Sequence, residues 1–215
     1  MQFSPLPNIK DFFSVFNRNI NNKFEILKPW IKKGDIAGWL SKSAWSFVLI
    51  TLWKRNFSKK NKKLNIWVPD FFCNSSLELL RKTDENIIFY KIKKNMEPDY
   101  SYFGEISLKS PPDIFILVHY FGKSFDSARA KQFCSGFNSW LIEDAVHVVF
   151  PNKSIGKFGD FVLYSPHKTL PIPNGSVLII KKNGPGLLNC EQFHLPSLIG
   201  LPNCLDLTSI SSVAT

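Results

Sequence analysis

The segment Asp113-Ile-Phe-Ile-Leu-Val-His-Tyr120 constrains the fold more than any other. Ile114 to Val118 are apolar without interruption, whereas a strand with one wet face would alternate apolar and polar side chains. So short and continuous a run, rich in β-branched residues, marks a central strand buried on both faces. The flanking pattern supplies the cover. A helix is expected from Ser43 through Trp53, opened by Ser41-Lys42-Ser43-Ala44. A strand at Leu64 to Val68 ends on Pro69, a helix follows from Cys73 to Arg81, and a strand from Asn86 to Ile92. A helix over Ser127 to Phe137 leads to the strand Trp140 to Ile142, then to strands at Asp160 to Ser165 and Gly175 to Ile180. Strands alternating with helices predict a three-layer α/β/α domain with a mainly parallel sheet. Ligands of such sheets sit at the carboxyl ends of the strands, where His119, Asp144 and Ser165 fall.

With 215 residues the chain can bury one sizeable core. Residues 1–40 read as an N-terminal arm, 41–182 as the domain, and 183–215, with Gly184-Pro185-Gly186 and a Ser/Thr-rich finish, as an irregular tail. Lysine and arginine number 27 against 17 acids, a net charge of +10. Much of the excess lies in Lys54 to Lys63 and Lys91 to Lys94, where turns are expected, so solvated surface is the expectation. No basic helix or aromatic RNA-binding signature accompanies it, and no nucleic-acid partner is expected. The N-terminus lacks the pattern of a signal peptide. The longest apolar run, Ala44 to Trp53, is half the roughly 20 residues a membrane span needs. The four cysteines, Cys73, Cys134, Cys190 and Cys204, show no metal-type spacing with histidine and suit buried thiols in a reducing, cytoplasmic chain. No metal ligand set is expected.

Chemistry concentrates at two strand ends. Trp140-Leu-Ile142 runs into Glu143-Asp144-Ala-Val-His147, and Gly159 to Tyr164 runs into Ser165-Pro-His-Lys168, with Pro171 and Pro173 stiffening the loop. An acid ending one parallel strand and a lysine just past the next suit pyridoxal 5'-phosphate: the amine condenses with its aldehyde and Asp144 keeps the pyridine nitrogen protonated. Taken singly, each residue has a plainer reading. Lys168 could be a solvated charge, Asp144 a turn residue, His147 structural, Ser43 an N-cap and Phe72 core. A carboxylate ending an apolar strand is nevertheless costly unless paired, and a helix opening with Ser43 and Ala44 offers free N–H groups to a phosphate.

Over residues 40 to 182 the chain resembles the DegT/DnrJ/EryC1/StrS aminotransferases, a family of fold-type-I pyridoxal-phosphate enzymes. Val118-His-Tyr-Phe-Gly122 with Asp126, Ile142-Glu-Asp-Ala-Val-His147, Gly156-Lys-Phe-Gly-Asp160 through Ser165, and Lys168-Thr-Leu to Asn174-Gly175 carry the likeness. It implies the large domain of that fold. It also implies Lys168 as the catalytic amine, Asp144 on the ring nitrogen and His147 on the ring oxygen. Ser43, Ala44 and Ser165 would hold the phosphate and Phe72 would stack on the ring. The substrates implied are an amino donor and a keto acceptor, such as a nucleotide-linked keto sugar, in a homodimer. Three features depart from the family: Lys42 where a small residue is usual, Gly175-Ser176 for a glycine pair, and the short Ser-x-His-Lys spacing. The last is closer to desulfurase- or decarboxylase-like branches. A tail too short for the family's C-terminal small domain adds the expectation of a large domain alone, or a degenerate, non-catalytic form.

Overall fold

A computed structural model describes residues 27–58 and 61–185. Most of the expected arm, most of the tail, Cys190 and Cys204 therefore lie outside the described residues.

Seven strands form one sheet: β1 (Ile36–Leu40), β2 (Asn65–Pro69), β3 (Asn86–Tyr90), β4 (Ile114–Val118), β5 (Trp140–Asp144), β6 (Phe161–Tyr164) and β7 (Ser176–Ile180), in the order β1-β7-β6-β5-β4-β2-β3. The pairs β2–β3, β2–β4, β4–β5 and β5–β6 are parallel, while β6–β7 and β1–β7 are antiparallel. The helices are α1 (Ser43–Ser58), α2 (Asn74–Arg81), α3 (Phe103–Lys109) and α4 (Ser127–Ser135).

Register shows how both sheet faces are covered. Ile114 stands opposite Trp140, and Ile142 opposite Phe161, so these residues share a face. Trp53 of α1 packs edge-on against Trp140 and Phe161, with centroids 5.4 and 5.5 Å away. Trp67 and Phe115, paired across β2 and β4, point to the other face and meet Phe103 of α3 and Phe133 of α4. All five residues of β4 are buried, as its unbroken apolar run requires. The three-layer α/β/α expectation holds.

Three details differ from the sequence expectation. Residues Ile36–Leu40, counted with the arm, form an edge strand on β7; Gly34 and Gly38 had obscured its short pattern. Helix α1 continues past Trp53 to Ser58, so Lys54 lies within a helix rather than a turn. That lysine is 3% exposed, donates to the Asn138 carbonyl at 2.9 Å and sits over the Trp140 ring. Finally, Cys134 is a buried thiol as expected, its pKa pushed by burial up to about 12, but Cys73 is exposed.

Candidate functional site

The carboxyl ends of β2, β4, β5 and β6 surround a cavity of about 300 Å³. Phe71, Phe72 and Cys73 enter from β2, and Tyr120 and Phe121 from β4. Asp144, Val146 and His147 come from β5, and Lys168 from the turn after β6. Four of the seven residues singled out in the sequence, Phe72, Asp144, His147 and Lys168, thus line one space. Ser165, Ser43 and Ala44 do not line it. Ser165 is buried, its hydroxyl 3.0 Å from His167 Nδ1. Ser43 and Ala44 open α1 at the same edge of the sheet, because the Gly175 N–H, just ahead of β7, donates to the Ser41 carbonyl at 3.1 Å. Phe72 meets Phe47, one turn into α1, edge to face at 5.5 Å.

Asp144 is 5% exposed, and among the described residues the only hydrogen bond to its carboxyl comes from the Val146 N–H, at 3.2 Å. Burial pushes its pKa up to about 6, against the opposing pull of the Lys168 ammonium. Among the described residues the Lys168 ammonium has no hydrogen-bonding or ion-pairing side chain of its own. It is half-buried, and its charge is felt by Asp144, His147 and Cys73. Burial and then Lys168 push the pKa of His147 below that of an ordinary imidazole. The Cys73 thiol is pulled down overall: burial raises it, but hydrogen bonds from Ser75 and the Ser76 backbone outweigh that.

Alternation along β5 sends the preceding residue, Glu143, to the opposite face. There its carboxylate is saturated. Oε2 accepts from His119 Nε2 at 2.8 Å and the Gly156 N–H at 2.8 Å, and Oε1 from the N–H groups of Phe158 at 2.9 Å and Gly159 at 2.6 Å. Burial raises this pKa too, but the His119 bond and the backbone donors more than offset it, leaving the carboxyl below its usual range. The loop needs its glycines to come this close: a Cβ at Gly159 would lie 2.9 Å from Glu143 Cγ, and Gly156 has φ 76°. His119 Nδ1 accepts from the Phe125 N–H at 3.2 Å, so the ring is held from both sides.

Sequence reasoning missed the wall formed by Phe71, Tyr120 and Phe121. Its signal was the Tyr-Phe-Gly one residue past the unbroken apolar run of β4. Tyr120 donates its hydroxyl to the Phe71 carbonyl, joining the β2 and β4 ends across the cavity. No group of three or more His, Cys, Asp or Glu residues able to hold a metal occurs among the described residues. No described helix is long and apolar enough to cross a membrane.

The fold is shared with known proteins. No family model matches the chain. Serine hydroxymethyltransferase of Methylobacillus flagellatus is 30% identical over 125 residues, covering 54% of this chain and 29% of that protein. Among solved structures, Helicobacter pylori PseC, an aminotransferase involved in the biosynthesis of pseudoaminic acid, superimposes with a TM-score of 0.64 at 19% identity, over 84% of this chain and 52% of its own. Escherichia coli GDP-4-keto-6-deoxy-D-mannose-3-dehydratase with bound hydrated PLP gives 0.62 at 18%, over 95% of this chain and 55% of its own. A DegT DnrJ EryC1 StrS aminotransferase from Brucella abortus gives 0.60 at 14%, over 80% and 49%. The chain spans about half the length of these solved proteins and under a third of the curated relative. Its architecture is that of the large domain of fold-type-I pyridoxal-phosphate-dependent enzymes.

Proposed function

We propose that the cavity binds pyridoxal 5'-phosphate and that the chain is the large domain of an aminotransferase-type enzyme acting on a keto substrate. One observation carries the reading: Lys168 and Asp144, brought from two strand ends, line the same cavity. The residues fit the group. Asp144 is a buried acid with a single hydrogen bond and a raised pKa, the state expected of a carboxyl that lacks a cationic partner. A protonated ring nitrogen would supply that partner. Phe72 offers an aromatic face, and the N-terminus of α1 offers free N–H groups at the same sheet edge, where Ser43, Ala44 and Ser165 would hold the phosphate.

When bound, the cofactor supplies an electron-withdrawing ring that stabilises negative charge on the carbon beside the transferred nitrogen. The chain's own residues do the rest. Lys168 would provide the amine that holds the cofactor's aldehyde and the base that moves a proton at the substrate carbon. Asp144 would hold a proton on the ring nitrogen through a charge-assisted hydrogen bond. His147 would donate to the ring oxygen. Phe71, Phe72, Tyr120 and Phe121 give the space an aromatic lining.

The solved neighbours, among them a GDP-keto-sugar enzyme, support a nucleotide-linked keto sugar as the acceptor, and a cytoplasmic homodimer is carried over from the family resemblance alone. The serine hydroxymethyltransferase relative, with the Ser165-Pro-His-Lys168 spacing, supports a second reading: another fold-type-I reaction on an amino acid at the same lysine. Mixing the chain with pyridoxal phosphate should raise an absorption band near ~410–430 nm, the region of a lysine-bound cofactor, and Lys168→Ala should abolish it. Bleaching of the band by glutamate supports amino transfer. A band that serine alone perturbs supports the second reading, one that no amino acid perturbs supports a binding remnant, and no band at all overturns the assignment.

A further inference from the structure

Phe121 holds a left-handed backbone, φ 54° and ψ 24°, and the residue is 76% exposed. A bulky residue with positive φ is strained, and a side chain this exposed recovers little of that cost by burial. What the conformation supplies lies on the neighbouring strand end. The Phe121 N–H donates to His147 Nδ1 at 3.2 Å, and the two rings lie parallel, 6° apart in plane with centroids 5.8 Å apart. Gly122, also left-handed at φ 76°, continues the turn against the His147 carbonyl. A ring nitrogen that accepts an N–H must carry its lone pair, so the proton of the neutral imidazole sits on Nε2.

We propose that Phe121 is a positioning residue that fixes His147 as the Nε2–H tautomer, making it a hydrogen-bond donor toward an oxygen of the ligand in the cavity. The surroundings favour the neutral ring. His147 is half-buried, and it shares the cavity with the Lys168 ammonium and the Asp144 carboxyl, of which the ammonium opposes a second positive charge. The fold also supplies internal contrasts. His119 Nδ1 accepts from Phe125 and is likewise Nε2–H, whereas His167 Nδ1 donates to the Gly175 carbonyl at 2.8 Å and must carry its proton there. The donor's role toward a ring oxygen rests on the cofactor reading above; the tautomer does not, and is measured without cofactor.

The experiment is nitrogen-15 NMR of the imidazoles in the cofactor-free chain near pH 8, with the His147 signals assigned by their loss in His147→Gln. Nδ1 should be the unprotonated nitrogen of His147, as in His119 and opposite to His167. A protonated Nδ1, or two averaging tautomers, overturns the proposal. Phe121→Gly keeps the N–H and tolerates the left-handed backbone, so the tautomer should persist; its loss would show that the backbone bond does not set it. With pyridoxal phosphate as the probe, His147→Gln, which retains an N–H donor, should bind within about threefold of the parent and His147→Leu about tenfold more weakly, the worth of one hydrogen bond to a charged acceptor. Equal binding by His147→Leu overturns the donor role. A parent that never develops the absorption band sinks the cofactor reading, while the NMR result still decides the tautomer.

Discussion

Glu143 and Asp144 are adjacent carboxyls at the end of one strand, and the sheet treats them oppositely. Glu143 turns toward the α3 and α4 face, where four donors from two chain segments converge on it. Asp144 turns toward α1 and the cavity with one weak bond. Both are buried, so exposure does not separate their roles; the number of donors does. One acid fastens the scaffold, and its neighbour is left short of partners where a ligand can supply one. Their pH signatures are opposite as a result. The lowered pKa of Glu143 adds stability above the usual carboxylate range, and that stability is lost as pH falls through the folded value. Asp144, raised to about 6, stays protonated in the folded chain between its ordinary value and 6, so its share of stability falls as pH rises through that window.

The contrast can be broken most severely at Glu143. Glu143→Gln leaves the amide nitrogen facing backbone donors and should cost about 3–5 kcal/mol, the range for breaking a buried charged network, read as a lower urea midpoint. A cost under about 1 kcal/mol would mean that the network holds little. Asp144→Asn should do the reverse. It removes an ionisation that costs on the order of 1–3 kcal/mol at neutral pH, so the variant should be more stable than the parent at pH 8 and no different at pH 4, while losing tight pyridoxal-phosphate binding. A variant less stable at pH 8 would show that Asp144 is already paired. The smallest effect is expected at Phe72. Phe72→Leu should leave both carboxyls and the absorption band intact and weaken cofactor binding about fivefold, the scale of one aromatic stacking contact.

How far the sequence carried the fold follows from which signals are local. The apolar run of β4 and the acid at the end of β5 are consecutive residues, and both are where their pattern requires. The edge strand Ile36–Leu40 left almost no pattern, because a short strand with a glycine at its centre has few side chains to alternate. Of the expected site, Phe72, Asp144, His147 and Lys168 meet, since strand ends in a parallel sheet are forced to one edge. Ser165 is turned instead to His167, a side-chain choice that spacing cannot express. The Glu143–His119 pair spans two strands, and the left-handed turn at Phe121 depends on backbone angles, so neither could be read from residue order.

The antiparallel return of β7 has a consequence for how the protein matures. Gly175, at the mouth of that strand, accepts from His167 and donates to Ser41, tying the lysine turn to the entrance of α1. Ser41 and Gly175 are far apart along the chain, and β1 has no neighbour until β7 arrives. On a ribosome the first half of the domain would therefore wait, with its edge unsealed, until β7 had emerged. Competence to hold a ligand is among the last properties such a chain acquires, and a stalled or shortened product would show its deficit at Lys168 before it lost its central strands.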